Sequence, residues 1–100
     1  STMREVRISS IVRSKITELE SYLINDLKLS ETAALSRSNR MRDFVRSLSN
    51  NVDYPLCRFY KWRKLGYRCA ILEKDWVFAY EIFEHGIIVR DMSHTSILVS

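Results

Sequence analysis

Apolar residues in this 100-residue chain follow two periods, one before Pro55 and one after it. Between Arg4 and Ser9, Val6 and Ile8 alternate with Arg7, which predicts a short strand. From Ile11 onward Val12, Ile16, Leu19, Leu23 and Leu27 recur at helical spacing, while Lys15, Glu18 and Glu20 fall on the other face. The pattern predicts a helix ending near Lys28, with Ser9 or Ser10 accepting a bond from its free N–H groups. Ser30-Glu31 is a second start signal, a hydroxyl cap followed by an acid in the first turn. Ala34, Leu35, Met41, Phe44, Val45 and Leu48 form the stripe of this second helix, which Ser49-Asn50-Asn51 ends. A connection of about two residues predicts an antiparallel helical hairpin.

After Pro55 the period shortens. Leu56 to Trp62 reads as a strand, Lys64-Leu65-Gly66 as a turn and Tyr67 to Leu72 as the next strand. Lys74-Asp75 turns the chain into Trp76 to Phe83, and His85-Gly86 turns it again into Ile87 to Met92. The uncharged tail from Thr95 to Ser100 reads as a further short apolar strand, suited to a sheet edge or a partner chain. The order is β-α-α-β-β-β(-β). This is an α+β plan, a helical hairpin on one face of a mostly antiparallel sheet, within one domain spanning 1–100.

A hydrophobic fraction of 46% suits a folded domain and excludes a disordered one. The net charge of +4 says less than its distribution. Arg37, Arg40, Arg42, Arg46, Arg58, Lys61, Arg63, Lys64 and Arg68 are more than half of the 16 Lys and Arg residues, interrupted only by Asp43 and Asp53. Acids lie to either side, at Glu18, Glu20, Asp26 and Glu31 and again from Glu73 to Asp91. Such a layout steers an anionic partner to one region, or is simply a solvated face. Phe59, Tyr60, Trp62 and Tyr67 interleave with the cations, which makes nucleic acid the first partner to consider.

Cys57 and Cys69 are too few for a disulfide framework, and Cys69, among apolar neighbours, reads as a small buried hydrophobe. There is no CxxC or Cys/His ligand cluster, so no metal or cofactor is expected. No signal peptide or membrane-length apolar run is present, and the expectation is a reduced, cytoplasmic, soluble protein.

The stretch GYRCAILEKDWVFAYEIFEHGIIVRDMSH, placed after a helical hairpin, resembles the RelE/ParE superfamily, the toxins of bacterial type II toxin–antitoxin pairs associated with plasmid stabilisation. The shared features are Tyr-Arg opening a strand, an aromatic-rich strand ending near Tyr, a Gly-containing turn and a last strand running to His. The resemblance implies a cognate antitoxin as partner and one of two activities, of which ribosome-dependent messenger RNA cleavage is the first expectation. RelE-like members cut messenger RNA on the ribosome without metal, inhibiting translation. ParE-like members poison DNA gyrase and need no catalytic set. The oligomeric state, a homodimer included, is left open.

Cleavage by the RNA 2′-hydroxyl needs a base, an acid and cations for the phosphorane. Arg68, at the family's Tyr-Arg position, and Arg90 suit charge stabilisation because a guanidinium holds two phosphoryl oxygens. His94, at the end of the last predicted strand, suits acid–base work, and Tyr80 or Tyr67 can transfer a proton or stack on a base. Arg58, Lys61, Arg63 and Lys64, with Tyr67, are the candidate RNA contacts. Each also has a plainer reading. Arg68 can pair with Glu81 or Glu73 across strands, Tyr80 can be sheet core, His94 an exposed terminal side chain and His85 a turn residue. The helix-two arginines suit a solvated face or an acidic antitoxin. Family nucleases carry a further cation or Tyr after the last strand, where this chain has none, which keeps the gyrase-directed alternative and a non-toxic binding module open.

Overall fold

Ser9 and Ser30 start the two long helices in the same way. Each adopts φ −66°, ψ 158° and offers its hydroxyl to a backbone N–H three residues on, of Val12 and Ala33 respectively. The computed structural model describes residues 5–49 and 54–98. Within them run β1 (Glu5–Ile8), α1 (Ser10–Asn25), α2 (Glu31–Ser47), α3 (Tyr60–Arg63), β2 (Arg68–Leu72), β3 (Trp76–Phe83) and β4 (Gly86–His94). A 3₁₀ turn, Thr95–Ile97, follows. The fold is α+β, as the periodicity predicts.

The sheet order is β1-β4-β3-β2, with β1 parallel to β4 and the other pairs antiparallel. Val12, Ile16, Met41, Val45 and Leu48 of the hairpin pack on Ala70, Phe78, Tyr80, Ile87, Val89 and Met92 of one sheet face. Past Ile8 the edge of β4 has no strand beside it, and α1 takes over. Ser9 donates to the Arg90 carbonyl at 2.9 Å, and Lys15 Nζ reaches the Met92 carbonyl at 2.9 Å and Asp91 at 2.7 Å.

The structure corrects four expectations. α1 stops at Asn25, so Asp26 to Ser30 connect the helices; Lys28 takes the left-handed φ of 59° and Leu29 N–H returns to the Leu23 carbonyl. Leu27 and Leu35, placed in the apolar stripes, are exposed, whereas Ser38 is fully buried between the helices. Of the strand expected at Leu56 to Trp62, only Leu56 pairs, in a bridge to Arg68. The chain then winds into α3, because Phe59 and Trp62 must turn the same way to reach the sheet. The tail forms a turn instead of a strand, with His94 accepting the Ser96 N–H; residues 99 and 100 lie outside the described region.

Gly86 shows how closely β1 and β4 approach. A Cβ there would sit far inside contact distance of the Glu5 backbone oxygen. Gly86→Ala is therefore expected to displace β1 and cost about 2 kcal/mol or more. For a domain of this size that is a fall in Tm of roughly 8 °C or more, read by thermal unfolding.

Between the helices Arg42 Nη2 bonds Glu20 at 2.7 Å and Nη1 bonds Ser38 Oγ at 3.2 Å. The Ser38 side chain beside Glu20 holds the Glu20 carboxyl below its ordinary value; burial opposes this, and Arg42 adds to it. A lowered carboxylate value stabilises the fold above about pH 4.3 and ceases to do so as pH falls through the native value. Glu20→Gln should thus lose about 1 kcal/mol at neutral pH, and the difference from wild type should vanish on acidification, as denaturant titrations at several pH values will read.

Candidate functional site

The strand alternation of β2 and β3 sends Cys69, Val77 and Ala79 to the face opposite the helical hairpin. A second core forms there with Cys57, Phe59 and Trp62, against which Tyr67 and Leu98 pack. Residues 55–57 run beside 67–69, with Cys57 N–H bonding the Tyr67 carbonyl at 2.9 Å and Cys69 N–H the Pro55 carbonyl at 3.3 Å. This pairing brings the Cα atoms of Cys57 and Cys69 to 4.9 Å, within the range of a disulfide, and the two form one. The reading of Cys69 as a reduced, unpaired hydrophobe is thereby overturned. Twelve positions separate the cysteines in sequence; only the reversal through α3 makes them neighbours.

The expected nucleic-acid contacts fall on this cover. Arg58, Lys61, Arg63 and Lys64 point to solvent around α3, whereas Tyr67 is half-buried in the second core. Arg58, Lys61 and Lys64 lie over the rings of Phe59, Trp62 and Tyr60 at 5.4, 4.8 and 5.5 Å from the centroids.

The residues expected to act in cleavage do not share one pocket. Arg68 and Tyr80 are cross-strand partners on the hairpin face. Arg68 donates to the Tyr54 carbonyl at 2.5 Å, and neither acid named for it is its partner, since Glu81 holds Arg90 at 2.5 Å and Glu73 holds Arg40 at 3.0 Å. Tyr80 is 0% exposed and meets Tyr54 edge-on at 6.4 Å, so its core reading holds. Arg90 is the extra residue of a bulge opposite Ala79 and Tyr80, and Glu81, its ion-pair partner, follows Tyr80 in the strand and points to the other face. His94 lies four residues further along β4, roughly 13 Å away at ordinary strand rise. Its Nδ1 accepts the Ser96 N–H at 3.1 Å, which leaves Nε2 to carry the proton of the neutral ring.

His94 instead joins a groove that the periodicity did not reveal. Its ring stands edge-on to Trp76 at 5.1 Å, its register partner on β3. Together with Tyr22, Leu27, Arg37 and Arg40 near the connected end of the hairpin, these two line a groove of about 620 Å³. A shallower hollow of about 330 Å³, reaching Ile97, shares Tyr22, Trp76 and His94. Tyr22 and Leu27 are the sequence signal for it: large apolar side chains, half exposed, at the end of α1 and just beyond it. Among the described residues, no three His, Cys, Asp or Glu side chains are placed to hold a metal, and no helix is long and apolar enough to cross a membrane.

In fold the chain is similar to a solved chain titled "Chromosomal ParDE TA system from P. aeruginosa", with a TM-score of 0.76 over 94% of this chain and 98% of that one, at 11% sequence identity. No protein-family model and no curated protein matches the chain.

The disulfide closes a loop short enough that its loss should cost about 3 kcal/mol. Cys57→Ala with Cys69→Ala is expected to lower Tm by roughly 12 °C or more while the far-UV circular dichroism of the folded chain at low temperature stays close to wild type. An unchanged Tm would mean that Phe59 and Trp62 alone hold the cover.

Proposed function

We propose that this chain is the toxin of a toxin–antitoxin pair, held inactive by a cognate antitoxin, and that it acts by binding a protein target of the gyrase kind. Two lines support the toxin reading. The Tyr-Arg to His pattern resembles the RelE/ParE superfamily, and the fold is similar to a chain from a ParDE system.

One observation favours binding over messenger RNA cleavage. Of the four residues expected to cut, Tyr80 is buried in the core, Arg68 is bonded to the Tyr54 carbonyl, Arg90 to Glu81, and His94 lies at the far end of its strand. An acid and a base must both reach the reacting phosphate within hydrogen-bond distance. Groups spread along a strand and across two faces of a sheet do not meet that demand.

Induction in a bacterial host is expected to arrest growth, with cleaved-DNA complexes of gyrase accumulating and messenger RNA intact in translating extracts. Arg90→Ala with His94→Ala should leave the arrest unchanged within about twofold, since exposed pairs contribute little to the fold. Messenger RNA cutting by the wild type that this double variant abolishes would restore the nuclease reading. Absence of growth arrest would remove the toxin reading altogether.

A further inference from the structure

The cover over the second sheet face carries an unusual outer surface. Arg58, Lys61, Arg63 and Lys64 are exposed, and none forms an ion pair among the described residues. Interleaved with them, Leu56, Tyr60 and Leu65 are 58%, 68% and 55% exposed. A nucleic acid would use the cations and stack its bases on aromatic rings. The rings of Phe59 and Trp62, however, are 5% and 2% exposed, which leaves Tyr60 as the one ring of residues 56–65 open to a base. Phosphate contacts also leave Leu56 and Leu65 without a purpose. An acidic polypeptide with apolar side chains uses all seven residues: its carboxylates meet the cations, and its apolar groups remove the leucines and the tyrosine from water.

The surface is also set in shape before any partner arrives. The Cys57–Cys69 bridge and the backbone bonds beside it fasten both ends of the segment to β2, while Phe59 and Trp62 fasten its middle to β3. The ring contacts under Arg58, Lys61 and Lys64 restrict those side chains further, which reduces the entropy lost on binding.

We propose that residues 56–65 form a docking surface for an acidic protein segment bearing apolar side chains. The surface lies on the opposite face of the sheet from the helical hairpin and is separate from the groove at His94. The inference rests on this surface alone and not on the toxin reading.

The test titrates the full chain by fluorescence anisotropy with a synthetic peptide alternating Glu and Leu, with poly-glutamate, with a single-stranded oligonucleotide of equal charge and with vesicles of anionic phospholipid. The Glu–Leu peptide should bind about tenfold more tightly than any other probe. Lys61→Glu with Arg63→Glu should weaken it about tenfold, and a Lys–Leu peptide should then bind the reversed surface instead. Leu65→Ser should weaken the Glu–Leu peptide roughly threefold and leave poly-glutamate unaffected. Tighter binding of the oligonucleotide or the vesicles would overturn the proposal, as would peptide binding indifferent to charge reversal, or no binding by any probe. Growth arrest is not read in these titrations, so failure here leaves the proposed toxin activity untouched, and failure there leaves this surface untouched.

Discussion

Val77, Phe78, Ala79 and Tyr80 are consecutive residues of β3, and none has any exposed surface. Neighbouring side chains in a strand point to opposite faces, so the sheet must be covered on both. The helical hairpin supplies one cover with Val12, Ile16, Met41 and Val45. No long helix is left for the other face. Residues 57–67 cover it, inserting Phe59 and Trp62 beside Val77 and Ala79. A four-residue helix has too few internal hydrogen bonds to hold itself, so α3 depends on this packing and on the Cys57–Cys69 bridge. Much of the remaining architecture follows from the need to keep those four residues dry.

The same requirement sorts the charges. Once Phe59 and Trp62 point inward, the residues around them, Arg58, Lys61, Arg63 and Lys64, must point outward. Of the aromatic residues that looked like a base-stacking surface, Phe59 and Trp62 become core, Tyr67 is half-buried and Tyr60 stays exposed, while the cations form an outer surface. On the hairpin face, by contrast, the polar groups are drawn into structural bonds. Arg42 joins the helices through Glu20 and Ser38, Lys15 closes the open edge of β4, and Arg68 holds the Tyr54 carbonyl. What stays open there is the groove where Trp76 and His94 meet Tyr22 and the arginines of α2.

Periodicity was a good guide wherever local geometry and burial agreed. Both helices, their serine caps and the three strands from Arg68 to His94 were legible because a one-sided apolar stripe or an unbroken apolar strand needs no knowledge of distant contacts. The segment from Leu56 to Trp62 was not. Its alternating pattern is that of a strand, yet its inward residues must meet a sheet face that only forms when β2 and β3 pair. Ser38 was hidden for a related reason, since a serine interrupts the stripe of α2 and is buried only because Arg42 and the Leu35 carbonyl satisfy it. The candidate site fared as the long-range contacts did. Arg68 and Tyr80 were rightly placed on neighbouring strands, but their distance from Arg90 and His94 depended on register, on the bulge at Ala79 and Tyr80, and on which face each residue took.

By itself the sequence determined the α+β order, the hairpin, the meander and the concentration of positive charge between Arg37 and Arg68. These follow from spacing along the chain, where helix and strand periods act over a few residues. Tertiary structure alone decided that Cys57 meets Cys69, that the basic segment folds across the second sheet face, and that the expected catalytic residues are dispersed. Those outcomes depend on which residues far apart in sequence must exclude water together, a condition set by the assembled sheet and carried by no local pattern.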